Sequence, residues 1–262
     1  MTDTDLQSTK KEKAFVYTHL GLGDMILTIG AVRYLATKYN SVTVVCKSVY
    51  KTTVQDLYAD NPSIKLYTVI SDKDVFSWDE QAEKYKLDGY DVYSCGFFSL
   101  KPDKHIYAFP NSFYDDMGIP RMARIKYFHV PQTESAKKIY EDFKGRPYIV
   151  VHQNSSNMSM PIIQTLLEAG EKRLIIDVNT NHVNKEADPE GYALAERCMN
   201  IPFTEYVKLF EGADELHMID SSVFSFAMHL DLSRVKRAVV YIRDSSTITD
   251  SFGKFETLLY VR

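Results

Sequence analysis

Apolar residues in this chain gather into short runs of strand length, separated by stretches long enough to hold a crossover helix. The first run, Ala14 to His19, ends in the turn Leu20-Gly21-Leu22-Gly23-Asp24. Beyond the turn, Met25, Ile29, Val32, Ala36 and Tyr39 recur at helical spacing, which predicts a helix with one stripe against a sheet. Ser41 to Cys46 predicts a second strand, and Ile64 to Ile70 and Tyr90 to Cys95 repeat the pattern. This is the rhythm of a parallel sheet with crossover helices. It lapses in the aromatic, proline-marked passage from Pro110 to Pro131, and Glu134 to Lys144 predicts a helix ended at Gly145. It restarts with Tyr148 to His152, Leu174 to Val178 and Glu215 to Ile219, and finishes with Ala238 to Ile242. The pattern predicts an α/β chain of two lobes, 13–131 and 146–262, after a loose polar tail over 1–12. No short period repeats, so the chain is not a solenoid.

Composition removes several alternatives. With 262 residues the chain is long enough for two cores, and its hydrophobic and charged fractions of 45% and 25% are those of a globular protein. A net charge of -4 gives no excess of cations, so nucleic acid is not an expected partner. Cys46, Cys95 and Cys198 are far apart and odd in number, which argues against a disulfide framework or a thiolate metal site and for a reducing compartment. No signal-peptide core opens the chain, and no apolar run approaches the ~20 residues that span a bilayer. The expected location is the cytoplasm.

Three segments can carry chemistry. In His19-Leu-Gly-Leu-Gly-Asp24 the glycines let the backbone approach a ligand, but the dinucleotide fingerprint needs glycine where Ile26 stands. Asp24 can cap the helix or serve as a general base at the end of a first strand. His19 is either a hydrogen-bonded structural residue or a second catalytic group. In Glu215-Leu-His-Met-Ile-Asp220-Ser221-Ser222 a strand ends in an acid and two hydroxyls that open a helix, suited to a phosphate and a sugar hydroxyl, or to capping alone. His152-Gln153-Asn154-Ser155-Ser156 follows the strand that opens the second lobe, and its polar groups suit a diphosphate or an ordinary turn.

Together these segments resemble the lipopolysaccharide heptosyltransferase family and related bacterial and viral sugar transferases of the GT-B fold. That family has a Leu-Gly-Asp turn leading into an apolar helix, here Leu22-Gly23-Asp24 and Met25 to Tyr39. Its second lobe opens with a His-Pro-Gly-Ala-like segment, here His152-Gln153-Asn154-Ser155, and later carries an acid followed by small residues, here Asp220-Ser221-Ser222. Pro202 to Asp214 is similar to the helix that precedes the last motif. The proline and glycine of the second motif are missing and no Lys or Arg follows it closely, so the resemblance implies sugar transfer without specifying a heptose.

The resemblance implies two Rossmann-like lobes with a crevice between parallel sheets, the first lobe taking a glycan acceptor and the second a nucleotide sugar. Asp24 is then the base of an inverting, metal-independent transfer, with no cofactor beyond the donor. Gly23, His152, Asn154, Ser155, Asp220, Ser221 and Ser222 would bind the donor. Phe203 either borders the base or anchors the core, and Arg243 either neutralises the leaving diphosphate or is a surface residue. The alternatives are an NAD(P)-dependent oxidoreductase built on the Gly21 turn and a sugar- or nucleotide-binding module without catalysis.

His217 and His229 read as structural or surface residues, and Tyr107, Phe109, Phe113 and Tyr114 as a packed loop in preference to an acceptor cleft. Asp72-Lys-Asp74 matches a metal-binding D-x-D pattern, but reads as a solvated turn.

Overall fold

The computed structural model describes residues 10–18, 21–71, 74, 89–96, 110–156, 158–242 and 254–259. The first lobe is built on four parallel strands: β1 (Lys11–Thr18), β2 (Tyr39–Lys47), β3 (Ile64–Val69) and β4 (Tyr90–Cys95), in the order β3-β2-β1-β4. The second is built on β5 (Tyr148–His152), β6 (Leu174–Asp177), β7 (Glu215–Ile219), β8 (Arg237–Ile242) and β9 (Phe255–Leu259), in the order β6-β5-β7-β8-β9, again all parallel. These are doubly wound sheets. In each, the order reverses beside the lobe's first strand, between β1 and β4 and between β5 and β7. Helices leave to opposite faces at such a reversal, which opens a crevice at the carboxyl ends of the strands. The expectation of an α/β chain with two parallel sheets holds.

Both central strands are sealed by apolar side chains. β1 is buried from Ala14 onward, and all five residues of β5 are buried. β9 escaped the sequence pattern for a physical reason. It lies at the edge of its sheet, with Phe255 buried but Glu256 and Leu258 exposed, so it never forms the unbroken apolar run of a central strand.

The apolar stripe from Met25 to Tyr39 forms two helices instead of one, α1 (Leu22–Leu27) and α2 (Ile29–Lys38), and Tyr39 already begins β2. The break at Thr28 has identifiable causes. Thr28 Oγ1 donates to the Met25 carbonyl at 2.9 Å, and Tyr114 donates its buried hydroxyl to the Leu27 carbonyl at 2.9 Å. Hydroxyls inserted at these carbonyls bend a helix. Just beyond, the backbone around Ala123 crosses Gly30 so closely that a Cβ there would lie 2.5 Å from the Ala123 carbonyl oxygen. Arg33, almost fully buried on α2, anchors the same region through Asp60 at 2.6 Å and the Leu57 carbonyl at 2.9 Å.

The remaining helices are α3 (Lys51–Leu57), α4 (Asn111–Asp116), α5 (Ala123–Lys126), α6 (Glu134–Asp142), α7 (Ile162–Glu168), α8 (Pro189–Arg197), α9 (Phe203–Glu211) and α10 (Ser222–Ala227). Helix α6 starts at Thr133, whose side chain caps the Ala136 N–H, and packs on α9 of the second lobe. The lobes meet where α1 faces α10 and where α3 approaches α9. Phe128 stacks on His229 and lies edge-on to Phe226, extending the seam. No helix among the described residues is long and apolar enough to cross a membrane.

Gly30→Ala is expected to destabilise the chain by about 1–3 kcal/mol, because backbone is the obstacle and must shift to admit the methyl. Urea denaturation checks this; an unchanged midpoint would show that the crossing at Ala123 yields freely.

Candidate active site

At the end of β1 the chain turns through Gly21 into α1; His19 and Leu20 lie outside the described residues. Gly21 occupies the N-cap position and Asp24 the third helical position. The Asp24 carboxyl folds back over the turn, so that a Cβ at position 21 would sit only 2.6 Å from its Oδ2. The bare glycine is what leaves room for this pose. Gly23 faces the opposite lobe, where an added Cβ would lie 3.3 Å from Ser225 Oγ and 3.6 Å from Ser222 Cα.

Across the seam, β7 ends at Ile219 and the chain passes through Asp220 and Ser221 into α10. The Asp220 N–H donates to the Tyr241 carbonyl at 3.3 Å, tying the turn to β8. Ser221 is extended and caps α10, its hydroxyl accepting from the Phe224 N–H at 3.4 Å, with Ser222 the first helical residue. Asp220 is open to solvent through the crevice, yet surrounding protein raises its pKa above the ordinary carboxylate value, and the charge of Asp24 raises it further. The two acids, one from each lobe, are electrostatically coupled.

The β5 turn supplies a third wall. It closes into a small hairpin in which Asn154 bridges Ser159, Ser159 Oγ donates to Asn154 Oδ1 at 2.6 Å, and the Ser155 N–H donates to the Met158 carbonyl at 2.7 Å. His152 is buried at the strand end, and burial lowers its pKa against the opposing effects of Asp177 and Asn179.

These segments enclose one cavity of 640 Å³. Asp24 and Gly23 line it from the first lobe; His152, Asn154, Ser155, Asp220, Ser221 and Ser222 line it from the second. Phe203 lines it too, while its ring packs edge-on to Phe226 at 5.2 Å and Tyr206 at 6.3 Å, so it is at once wall and core anchor. Arg243 lies outside the described residues. Among the described residues the cavity wall carries neither Lys nor Arg. A bound anion would therefore meet hydroxyls, amides and backbone N–H groups, in a cavity that also holds the carboxyls of Asp24 and Asp220.

Sequence reasoning missed part of the wall. Tyr50 enters from the first lobe, and Val178, Asn179, Asn200, Ile201 and Tyr206 from the second. Asn200 adopts φ 52°, a left-handed conformation that asparagine tolerates, and its N–H reaches the Val178 carbonyl at 2.8 Å. The Asn200-Ile201-Pro202 turn was its only signal in the sequence.

Other candidates fall away from the cavity. Phe113 and Tyr114 are buried in the core; Tyr107 and Phe109 lie outside the described residues. His217 is enclosed between Tyr241 and Glu215, and burial pushes the His229 pKa down to about 3 against the opposing effect of its bond to the Ser225 carbonyl. Both are structural. Asp74 Oδ2 accepts from the Ile70 and Ser71 N–H groups at 3.0 and 2.9 Å, a turn closed on itself, while Asp72 is outside the described residues.

No protein-family model and no curated protein matches the chain. Solved structures do. The glycosyl transferase family 9 protein from Veillonella parvula superposes over 96% of this chain and 88% of its own, with a TM-score of 0.55 at 12% identity. ADP-heptose LPS heptosyltransferase II of E. coli does so over 95% and 90%, with a TM-score of 0.52 at 12% identity. The fold is that of a GT-B glycosyltransferase. The dodecameric iron-containing glycosyltransferase TibC of enterotoxigenic E. coli shares it over 88% of this chain but only 58% of its own, with a TM-score of 0.51 at 15% identity. The GT-B crevice between the two sheets is where the cavity lies.

Because its folded pKa is raised, Asp220 contributes stability that is complete below the unfolded value of 3.8 and lost as pH rises through the folded value. Asp220→Asn is thus expected to gain stability relative to wild type between about pH 3.5 and about pH 7, and to gain less in an Asp24→Asn background. Urea denaturation at both pH values reads this directly; a pH-independent difference would mean that Asp220 titrates as an ordinary acid.

Proposed function

We propose that the protein transfers a sugar from a nucleoside-diphosphate sugar to a hydroxyl acceptor, by an inverting displacement that needs no metal. The observation that carries this reading is the convergence of Asp24 from one lobe with the hydroxyl- and amide-rich turns of the other on a single cavity of 640 Å³. That volume lies within the range of about 300–1,000 Å³ typical of small-molecule sites.

In this mechanism Asp24 takes the proton of the acceptor hydroxyl as its oxygen attacks the anomeric carbon. The bond from that carbon to the diphosphate breaks on the opposite side, and the nucleoside diphosphate departs with the electron pair. The hydroxyls of Ser221 and Ser222, at the head of α10, would face the charge that develops there as hydrogen-bond donors, with Ser155 in the adjoining wall. Asp220, which lines the same cavity as Asp24, would contact a donor-sugar hydroxyl. Phe203 and the amide-bearing wall of Asn179 and Asn200 would border the base. Heptose enters only through the structural neighbours, one of them described in complex with ADP-D-beta-D-heptose, so ADP is the first nucleotide to try.

Metal independence is part of the proposal because the second-lobe turns offer a diphosphate hydroxyls, amides and backbone N–H groups in place of a cation. Transfer is expected to continue in excess EDTA. Loss on chelation with rescue by Mn²⁺ would move the donor site to another part of the chain.

A thermal-shift screen of ADP, UDP, GDP and NAD tests the donor class, since a ligand of the native state raises the melting temperature. A shift with NAD alone would favour an oxidoreductase. Asp24→Asn is expected to keep nucleotide binding and to lose ~10² to 10⁴ in rate. Wild-type turnover by that variant would leave Asp24 as a turn residue only.

A further inference from the structure

Asp177, the last residue of β6, has a side chain with no exposed surface and takes no part in the reaction proposed above. Its oxygens nonetheless accept three hydrogen bonds, and these come from two separate walls of the crevice. Oδ1 accepts from the Asn179 N–H at 2.9 Å. Oδ2 accepts from Gln153 Nε2 at 3.1 Å and from His182 Nε2 at 3.1 Å. The Gln153 amide has only one workable orientation. Its Oε1 accepts from the Ile163 N–H at 3.1 Å, at the head of α7, and a backbone N–H requires an oxygen there, which turns Nε2 toward Asp177. Gln153 is buried and does not line the cavity, whereas its neighbours His152 and Asn154 do, and Asn179 lines the facing wall.

We infer that Asp177 is a positioning residue for the donor half of the crevice: through Gln153 and Asn179 it fixes the spacing between the β5 turn and the β6 loop, and with it the affinity for the nucleotide diphosphate. The inference rests on the donor assignment above. An apolar residue would fill the space beneath the turns, but directional bonds to both of them are what hold a single register. His182, partly exposed, is the second donor onto Oδ2 and holds the loop after Asn179 against Asp177.

The polarity of the pair can be reversed without changing its shape. Asp177→Asn sets an amide NH₂ against donors, and Gln153→Glu sets two acceptors face to face, so each single variant opposes like groups. In the double variant Gln153→Glu/Asp177→Asn, the new carboxylate accepts from the new amide and still receives the Ile163 N–H, and the part-exposed His182 ring meets that amide with Nε2 as an acceptor in its other tautomer. Calorimetry of the full chain with ADP, UDP and GDP, alongside thermal unfolding, reads the outcome. Each single variant is expected to weaken binding of the nucleotide that wild type takes by about tenfold or more, with the double variant within about threefold of wild type. Should Asp177→Asn not fold, Gln153→Glu against the double variant carries the same comparison. Singles that melt earlier yet bind as wild type, or a double variant no tighter than the weaker single, would overturn the inference alone. Failure of wild type to bind any of the three nucleotides would instead overturn the donor assignment, and this inference with it.

Discussion

The approach of Gly23 to Ser222 is the constraint on which the rest of this molecule depends. Two helices, each leaving the carboxyl end of a strand, meet head to head with almost no side chain between them. That contact sets the two sheets mouth to mouth, and the cavity is the space left beside it. It also brings Asp24 close enough to Asp220 for one acid to raise the pKa of the other. A larger residue at position 23 would press on Ser225 and Ser222, widening the crevice and weakening that coupling together.

Around the seam, apolar and polar contacts have different tasks. Apolar packing supplies cohesion, through the buried strands β1 and β5 and the aromatic stack of Phe203, Tyr206, Phe210 and Phe226. Polar contacts supply direction. Tyr114 and Thr28 bend the helix that carries Asp24, Arg33 holds the neighbouring turn through Asp60, and Asp177 ties the β5 turn to the β6 loop. A buried polar group without partners is unfavourable, so each of these bonds also selects the arrangement that satisfies it.

Most of the framework was legible because buried parallel strands leave unbroken apolar runs. Tyr148–His152 and Glu215–Ile219 were bounded to the residue, since each is buried along nearly all its length and ends in polar residues. The misread parts are those where tertiary contacts decide. No local signal in the Met25 to Tyr39 stripe reveals that Tyr114, far along the chain, will bond at its middle. The cavity's turns after β1 and β7 could be found from glycine, acid and hydroxyl at strand ends. Its far wall could not, because Asn179 and Asn200 sit 21 residues apart and acquire meaning only when their side chains meet at 3.3 Å. Asp177 likewise reads as the polar end of a short strand until Gln153 is set beside it.

The pairing of Gly21 with Asp24 bears on how this site can drift over generations. Any side chain at position 21 displaces the carboxyl at 24, so the two codons form one unit although only one specifies the acid. A descendant that acquired alanine at 21 would keep its aspartate and lose the aspartate's pose.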